Sequence, residues 1–283
     1  MRIHIAGNII IYKMIISILV VVALSELSKK VNPTLGGILA GLPLGTGLSV
    51  YFISYEKGTA FLISGIPWAI ASLSASIIFC FVYLSVARKM SAGPKVVAML
   101  AASAAGSVMF VAVGYMLYNM PLHIISAVIV FIVVFVVNIK LIRTLMTEPA
   151  VKSESKNSLA KLLIRAVFAG AIILLITGLG VILGSKWSGI LSSFPSTLFP
   201  LIVILHVEDG NKVFPSVIHG FSYSVSTLVV FYLVFMILAP IAGLNLGFLV
   251  TYAVCGVYLV LFFNFKSFIN RFRKSGDPAW QER

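Results

Sequence analysis

Charge is scarce in this chain. Only 10% of its 283 residues are charged, against roughly 25% in an ordinary soluble domain, and just eight are carboxylates. Acid/base and metal chemistry usually needs paired carboxylates, histidines or thiolates, so an enzyme is disfavoured. No His-Glu-x-x-His, no Cys-x-x-Cys and no phosphate-cradling glycine loop with a lysine occurs, which leaves no expected metal or cofactor. The same absence excludes a nucleotide-driven pump built from this chain alone. Cysteine is equally sparse. Cys80 and Cys255 both lie inside apolar runs and read as packing, not as a disulfide framework.

Long polar stretches are also missing. The longest, Arg143 to Lys161, reads as a flexible surface linker, and everything else is tightly looped. What fills the chain is apolar: 60% of its side chains, with a mean hydropathy of +1.10. At roughly 20 residues per helical span this suffices for about eight or nine crossings and leaves no sizeable soluble domain. Cutting at charges, prolines and glycines predicts nine helices: Ile9 to Leu27, Leu35 to Ser54, Ala60 to Val86, Val96 to Tyr118, Ile124 to Ile139, Leu162 to Leu183, Gly189 to His206, Val213 to Ile237 and Leu246 to Phe265. The first run has no small-residue cleavage pattern and is read as a retained span. The expected fold is an all-α integral membrane protein.

A formal charge of +13 would suggest nucleic acid in a soluble chain. Here it reports orientation, because basic residues accumulate on the cytoplasmic side of a membrane protein. With nine spans and the N-terminus outside, only Arg2, Lys13, Lys57 and Lys186 of the 21 Lys and Arg residues fall outside. No nucleic-acid partner is needed. The expected location is the cell membrane, multi-pass, with a cytoplasmic C-terminus, and the basic tail from Lys266 to Lys274 is suited to anionic lipid headgroups.

Sliding the chain on itself by 152 residues aligns Gly37-Ile38-Leu39 with Gly189-Ile190-Leu191, Pro43 with Pro195, Glu56 with Glu208 and Gly58 with Gly210, without a gap. The register continues through Ser72 and Ser224, Ser74 and Ser226, and Phe79 and Phe231. Upstream it places Lys13 over Arg165 and Ser25 over Thr177. This offset passes over five spans, an odd number, so the two copies are expected to be inverted across the bilayer. The organisation read from it is a first repeat over 1–120, a linking helix and cytoplasmic linker over 121–158, and a second repeat with its basic tail over 159–283. Inverted repeats of four helices are a recurring architecture of secondary transporters.

The two copies carry matched interruptions. Gly41-Leu42-Pro43-Leu44-Gly45-Thr46 lies in the second predicted helix and Ser192-Ser193-Phe194-Pro195-Ser196-Thr197 in the seventh. Proline removes a backbone hydrogen bond, and lipid cannot satisfy the freed groups, so each break is expected to face protein or a water-filled cavity. Gly41, Pro43, Thr46, Ser193, Pro195 and Thr197 are therefore candidate substrate-binding residues, although small residues also serve close helix packing. If they line a cavity, a bulky residue at Gly41 or Ser193 abolishes transport without unfolding the protein.

A second paired signature, Ser72, Ser74 and Ser76 opposite Ser222, Ser224 and Ser226, adds Ser72 and Ser224 to the candidates. Hydroxyls two apart do not share a helix face, so some must bond to carbonyls of the preceding turn. His219 is either a ligand or a satisfied interior group. Ionisable residues near the bilayer are functional candidates by default, which singles out Glu56, Glu208, His206 and Glu26 for coupling or gating. The competing readings are an interfacial ion pair of Glu26 with Lys29 and Lys30, and turn geometry for the Glu-Lys-Gly and Glu-Asp-Gly ends.

The stretch Leu35-Gly36-Gly37-Ile38-Leu39-Ala40-Gly41-Leu42-Pro43 resembles the small GlpM-type bacterial membrane proteins. That resemblance implies two such units fused through an extra helix, organised like drug/metabolite transporters, and it carries over no catalytic residue. The expected function is a permease for a small neutral, zwitterionic or weakly anionic solute. Alternatives are a lipid or lipid-linked flippase or channel, and a membrane assembly factor. Expected partners are the solute and membrane lipids, with a homodimer compatible.

Overall fold

The structure, a computed structural model, describes residues 11–19, 43–145 and 159–275. Gly41 and Glu26, together with Ser25, Lys29 and Lys30, lie outside the described residues. Helix α1 covers 11–19. It is followed by α2 (Leu44–Lys57), α3 (Thr59–Lys89), α4 (Lys95–Tyr118), α5 (Ile124–Leu145), α6 (Leu159–Leu183), α7 (Ser185–Ser192), α8 (Leu198–Asp209), a 3-10 turn over Gly210–Lys212, α9 (Phe214–Ser224) and α10 (Ser226–Ser275). Among the described residues there is no strand. That is the expected outcome for an apolar chain in lipid, where only a helix satisfies every backbone group within its own segment.

Five segments are long and apolar enough to cross a membrane: Thr59–Lys89, Lys95–Tyr118, Ile124–Ile142, Leu162–Leu183 and Phe214–Phe262. Isoleucine, leucine and valine side chains such as Val108, Ile125, Ile182, Leu249 and Val257 stand exposed on α4, α5, α6 and α10. An apolar surface of this extent is what lipid covers. The protein is embedded in a membrane.

The last segment holds two of the predicted runs. Pro240 and then Gly243, at φ 77°, interrupt α10, and only glycine adopts that backbone readily. The limb after Gly243 folds back along the limb before it. Added to Gly247, a Cβ would lie 2.8 Å from Ala239 Cα; Phe231 and Tyr252 pack with ring centroids 5.7 Å apart, and Tyr258 donates a 3.0 Å hydrogen bond to Ser226.

Helix α3 is the axis of the fold. Its seventeen buried residues include Gly65, Ala69, Ala71, Ser72, Ala75 and Ser76, small enough for neighbouring helices to approach from several sides. It packs on α4, α5, α7 and α10. At 31 residues it runs roughly 46 Å, enough to cross the bilayer. Gly58, at φ 87°, precedes its first residue, and Asn211 Nδ2 donates to the Ala87 carbonyl near its last turn at 3.2 Å. The repeat-matched carboxylates Glu56 and Glu208 therefore flank opposite ends of α3. Their glycines, Gly58 and Gly210, both adopt positive φ, at 87° and 61°.

Candidate functional site

The predicted seventh helix is two helices. Helix α7 ends at Ser192, α8 begins at Leu198, and Pro195 sits between them. Proline has no N–H to continue the ladder, so local carbonyls need other donors. Ser76 Oγ of α3 reaches across to donate to the Ser193 carbonyl at 2.5 Å. Ser193 Oγ in turn donates to the Ala69 carbonyl of α3 at 2.6 Å and lies 3.3 Å from the Tyr232 hydroxyl, which also bonds Ser192 at 2.8 Å. Protein groups thus replace the donors and acceptors that lipid lacks. Phe194 is held edge-on against Phe79, Phe110 and Phe199, at centroid distances of 5.4, 5.1 and 5.7 Å.

The first interruption meets the second. Pro43 is the N-cap of α2, and its carbonyl accepts from Gly47 N–H at 2.5 Å and from the Tyr252 hydroxyl at 2.7 Å. Two residues on, Gly45 lies against the α7–α8 break so closely that a Cβ there would overlap Ser196 Oγ and come within 2.9 Å of Thr197 Cγ2. The N-termini of α2 and α8 therefore come together, and neither carries a side-chain cap. Each contributes uncapped N–H groups and the positive end of a helix dipole. Thr46, Ser193 and Thr197 are all buried here with Pro43 and Pro195.

The hydroxyl cluster divides into two kinds. Ser222 and Ser224 bond to carbonyls of their own helix, Ile218 at 3.0 Å and Phe221 at 3.2 Å, the commoner fate of membrane serines. Ser72 is fully buried, and its Oγ has no hydrogen-bond partner among the described residues. It lies on the stripe of α3 formed by Ala69, Ser72 and Ser76, whose two end members hold Ser193. Ser196 Oγ, buried at the break, is likewise unpartnered. His219 is half-buried, with its ring edge-on to Tyr223 at 5.1 Å.

The charged candidates occupy the two ends. Glu56 forms an ion pair with Lys13 of α1, and the Lys13 ammonium also donates to Thr177 Oγ1 of α6 at 3.2 Å and lies 5.6 Å from the Phe52 ring centroid. Lys13 is 5% exposed. At the opposite end, Glu208 and His206 line a cavity of about 560 Å³ with Lys95, Asp209, Asn211 and Lys212. His206 is buried and shares a 3.0 Å hydrogen bond between Nδ1 and the Tyr83 hydroxyl. Among the described residues no cluster of three His, Cys, Asp or Glu side chains could hold a metal ion.

Tyr232, Tyr252, Tyr83 and Lys13 were not legible as site residues. The tyrosines sit in apolar runs like any core aromatic. Lys13 does carry a signal, its match to Arg165 in the repeat, but its position near the N-terminus reads as an outer flank. Comparison with known protein families, curated proteins and solved structures finds no match for this chain.

Proposed function

We propose that the protein is a secondary transporter that moves a small neutral, zwitterionic or weakly anionic solute by alternating access between two inverted repeats. The observation that carries this reading is the meeting of the two interruptions, where two helix N-termini without side-chain caps converge beside the hydroxyl of Ser196, which has no partner among the described residues. No carboxylate or lysine borders this junction among the contacts described above. Recognition would fall to hydroxyls, exposed backbone N–H groups and helix dipoles, which suits the anionic end of a zwitterion or a weak acid. Helix α2 runs from the junction towards Glu56 and α8 from the junction towards Glu208, an arrangement that agrees with inverted copies about a central site.

The experiment is a thermal-stability screen of the purified protein against a metabolite library, because a ligand that binds the folded state raises its stability by mass action. Stabilisation of several degrees by carboxylate-bearing zwitterions or weak acids is expected, abolished by Ser196→Val and followed by uptake into proteoliposomes. Stabilisation by lipids alone, with lipid scrambling in vesicles, would favour a flippase. No stabilisation by any solute, with no uptake, would leave an assembly factor.

In this reading the N-terminus and Glu56 are outside, while Glu208 and the Lys266 to Lys274 tail are cytoplasmic. Cysteines replacing Lys57 and Asp209, in a background lacking Cys80 and Cys255, are expected to react with an impermeant reagent from opposite sides. Modification from the same side would remove the inverted repeat.

A further inference from the structure

Helices α3 and α4 are two of the segments long and apolar enough to cross the membrane, and the link 90–94 that joins them turns at one end of the molecule. The cavity of about 560 Å³ lies against this link and the end of α8. Its volume falls within the roughly 300–1,000 Å³ of ordinary ligand pockets. Among its lining residues are two lysines, Lys95 and Lys212, two carboxylates, Glu208 and Asp209, and the imidazole of His206. Groups of both signs are thus gathered at one place in a chain only 10% charged.

Each of these groups has capacity for a ligand. The Lys95 ammonium donates to the Glu208 carbonyl at 3.1 Å, and an ammonium has further N–H donors beyond that one. The Lys95 stem is braced against the turn at Gly210, its Cε 3.4 Å from where a Cβ would stand. His206 is buried and binds the Tyr83 hydroxyl through Nδ1, which leaves Nε2 for a ligand. Glu208 and Asp209 have interactions within the protein, but a carboxylate accepts several hydrogen bonds at once, so these do not exhaust it. The first two turns of α4, where Lys95 and Ala98 line the cavity, also carry the exposed apolar side chains of Val96, Val97 and Leu100. A polar cavity therefore adjoins an apolar face that lipid covers.

We propose that this cavity binds the headgroup of a phosphatidylethanolamine, with its phosphate against Lys95 and Lys212, its ammonium against Glu208 and Asp209, and its acyl chains along the exposed side chains of α4. Basic pockets between spanning helices suit lipid phosphates. Here the lining carries both signs, which matches a zwitterion better than an anionic headgroup, whose phosphate would meet the two carboxylates with no ammonium to offset them. A choline headgroup is also zwitterionic, but its trimethylammonium has no N–H to donate to a carboxylate. A soluble aminophosphate has the right charges and gains nothing from Val97 and Leu100. The cavity shares no lining residue with the junction of the two interruptions, so this site stands apart from the proposed solute site.

The test is native mass spectrometry of the full chain in detergent, titrated with dioleoyl lipids carrying ethanolamine, choline or glycerol headgroups. The ethanolamine lipid is expected to bind about fivefold tighter than either of the others. Lys212→Gln, at an exposed position, should weaken its binding about fivefold. Asp209→Asn should cancel its advantage over the choline lipid and leave choline-lipid binding unchanged. Melting curves of the variants without added lipid separate lost binding from lost folding, and Glu208→Gln repeats the comparison if Asp209→Asn is destabilised. Equal binding of the three lipids, tighter binding of the glycerol lipid, or an ethanolamine preference that survives both carboxylate variants would overturn the proposal. So would competition by soluble glycerophosphoethanolamine at concentrations equal to the lipid, because the chains would then contribute nothing. Failure here leaves the solute reading standing, since the metabolite screen tests that separately.

Discussion

A Gly189→Ala variant is expected to lose about 3 kcal/mol of stability, a large effect for one methyl group. Helices α3 and α7 cross backbone to backbone at this point. A Cβ on Gly189 would overlap the Gly65 carbonyl oxygen, with Gly65 C at 3.0 Å and Ala69 N at 3.1 Å, and a Cβ on Gly65 would overlap the Ser185 carbonyl oxygen. None of these atoms belongs to a flexible side chain, so the helices must separate. Separation would also stretch the Ser76 to Ser193 and Ser193 to Ala69 hydrogen bonds that anchor the break. Reversible unfolding in mixed micelles measures the loss. Gly178→Ala is the control, because nothing lies within 4 Å of a Cβ there. Equal stability of the two variants would mean that α3 and α7 do not depend on close backbone contact.

Ser193→Leu is expected to lose stability and function together, by about 3–5 kcal/mol. Ser193 is 1% exposed, donates to the Ala69 carbonyl at 2.6 Å and abuts Tyr232. Leucine would leave that carbonyl unpaired and force bulk into a filled position, and each effect costs about 1–3 kcal/mol. Ser193→Ala removes only the hydroxyl and should cost about 1–2 kcal/mol. The sequence pattern, taken alone, implies that bulk at 193 blocks transport in a protein that still folds. The closed contact between α3 and the break is the reason to expect otherwise. A melting curve beside a binding assay separates the two, and a Ser193→Leu protein as stable as wild type would put an open cavity where the structure has packing.

Much of the architecture was legible because lipid leaves a chain few choices. Runs of apolar residues must become helices, and the boundaries at Tyr118, Ile124 and Leu183 follow from charge, proline and glycine. The interruption at Pro195 was legible for the same reason, since proline lacks the N–H a helix needs. Gly58 and Gly210 were marked by the repeat, and both take the positive φ that favours glycine.

What the sequence could not express was which groups meet. Composition marks Ser72, Ser76 and Ser224 as the same kind of residue. Only the packing of α3 against the break makes Ser76 a donor to Ser193, leaves Ser72 without a partner among the described residues, and lets Ser224 turn back on its own helix. Periodicity could not distinguish Tyr232 from its phenylalanine neighbours, because its role depends on a hydroxyl group across an interface. Lys13 and Glu56 are 43 positions apart, and their pairing depends on α1 and α2 lying side by side with α6. The sequence by itself determined helices, breaks and the chemical kind of each matched residue, because those depend on neighbours along the chain and on the solvent. The tertiary structure alone decided that Glu56 pairs with Lys13 and that Glu208 and His206 line a common cavity, because that depends on contacts between distant helices.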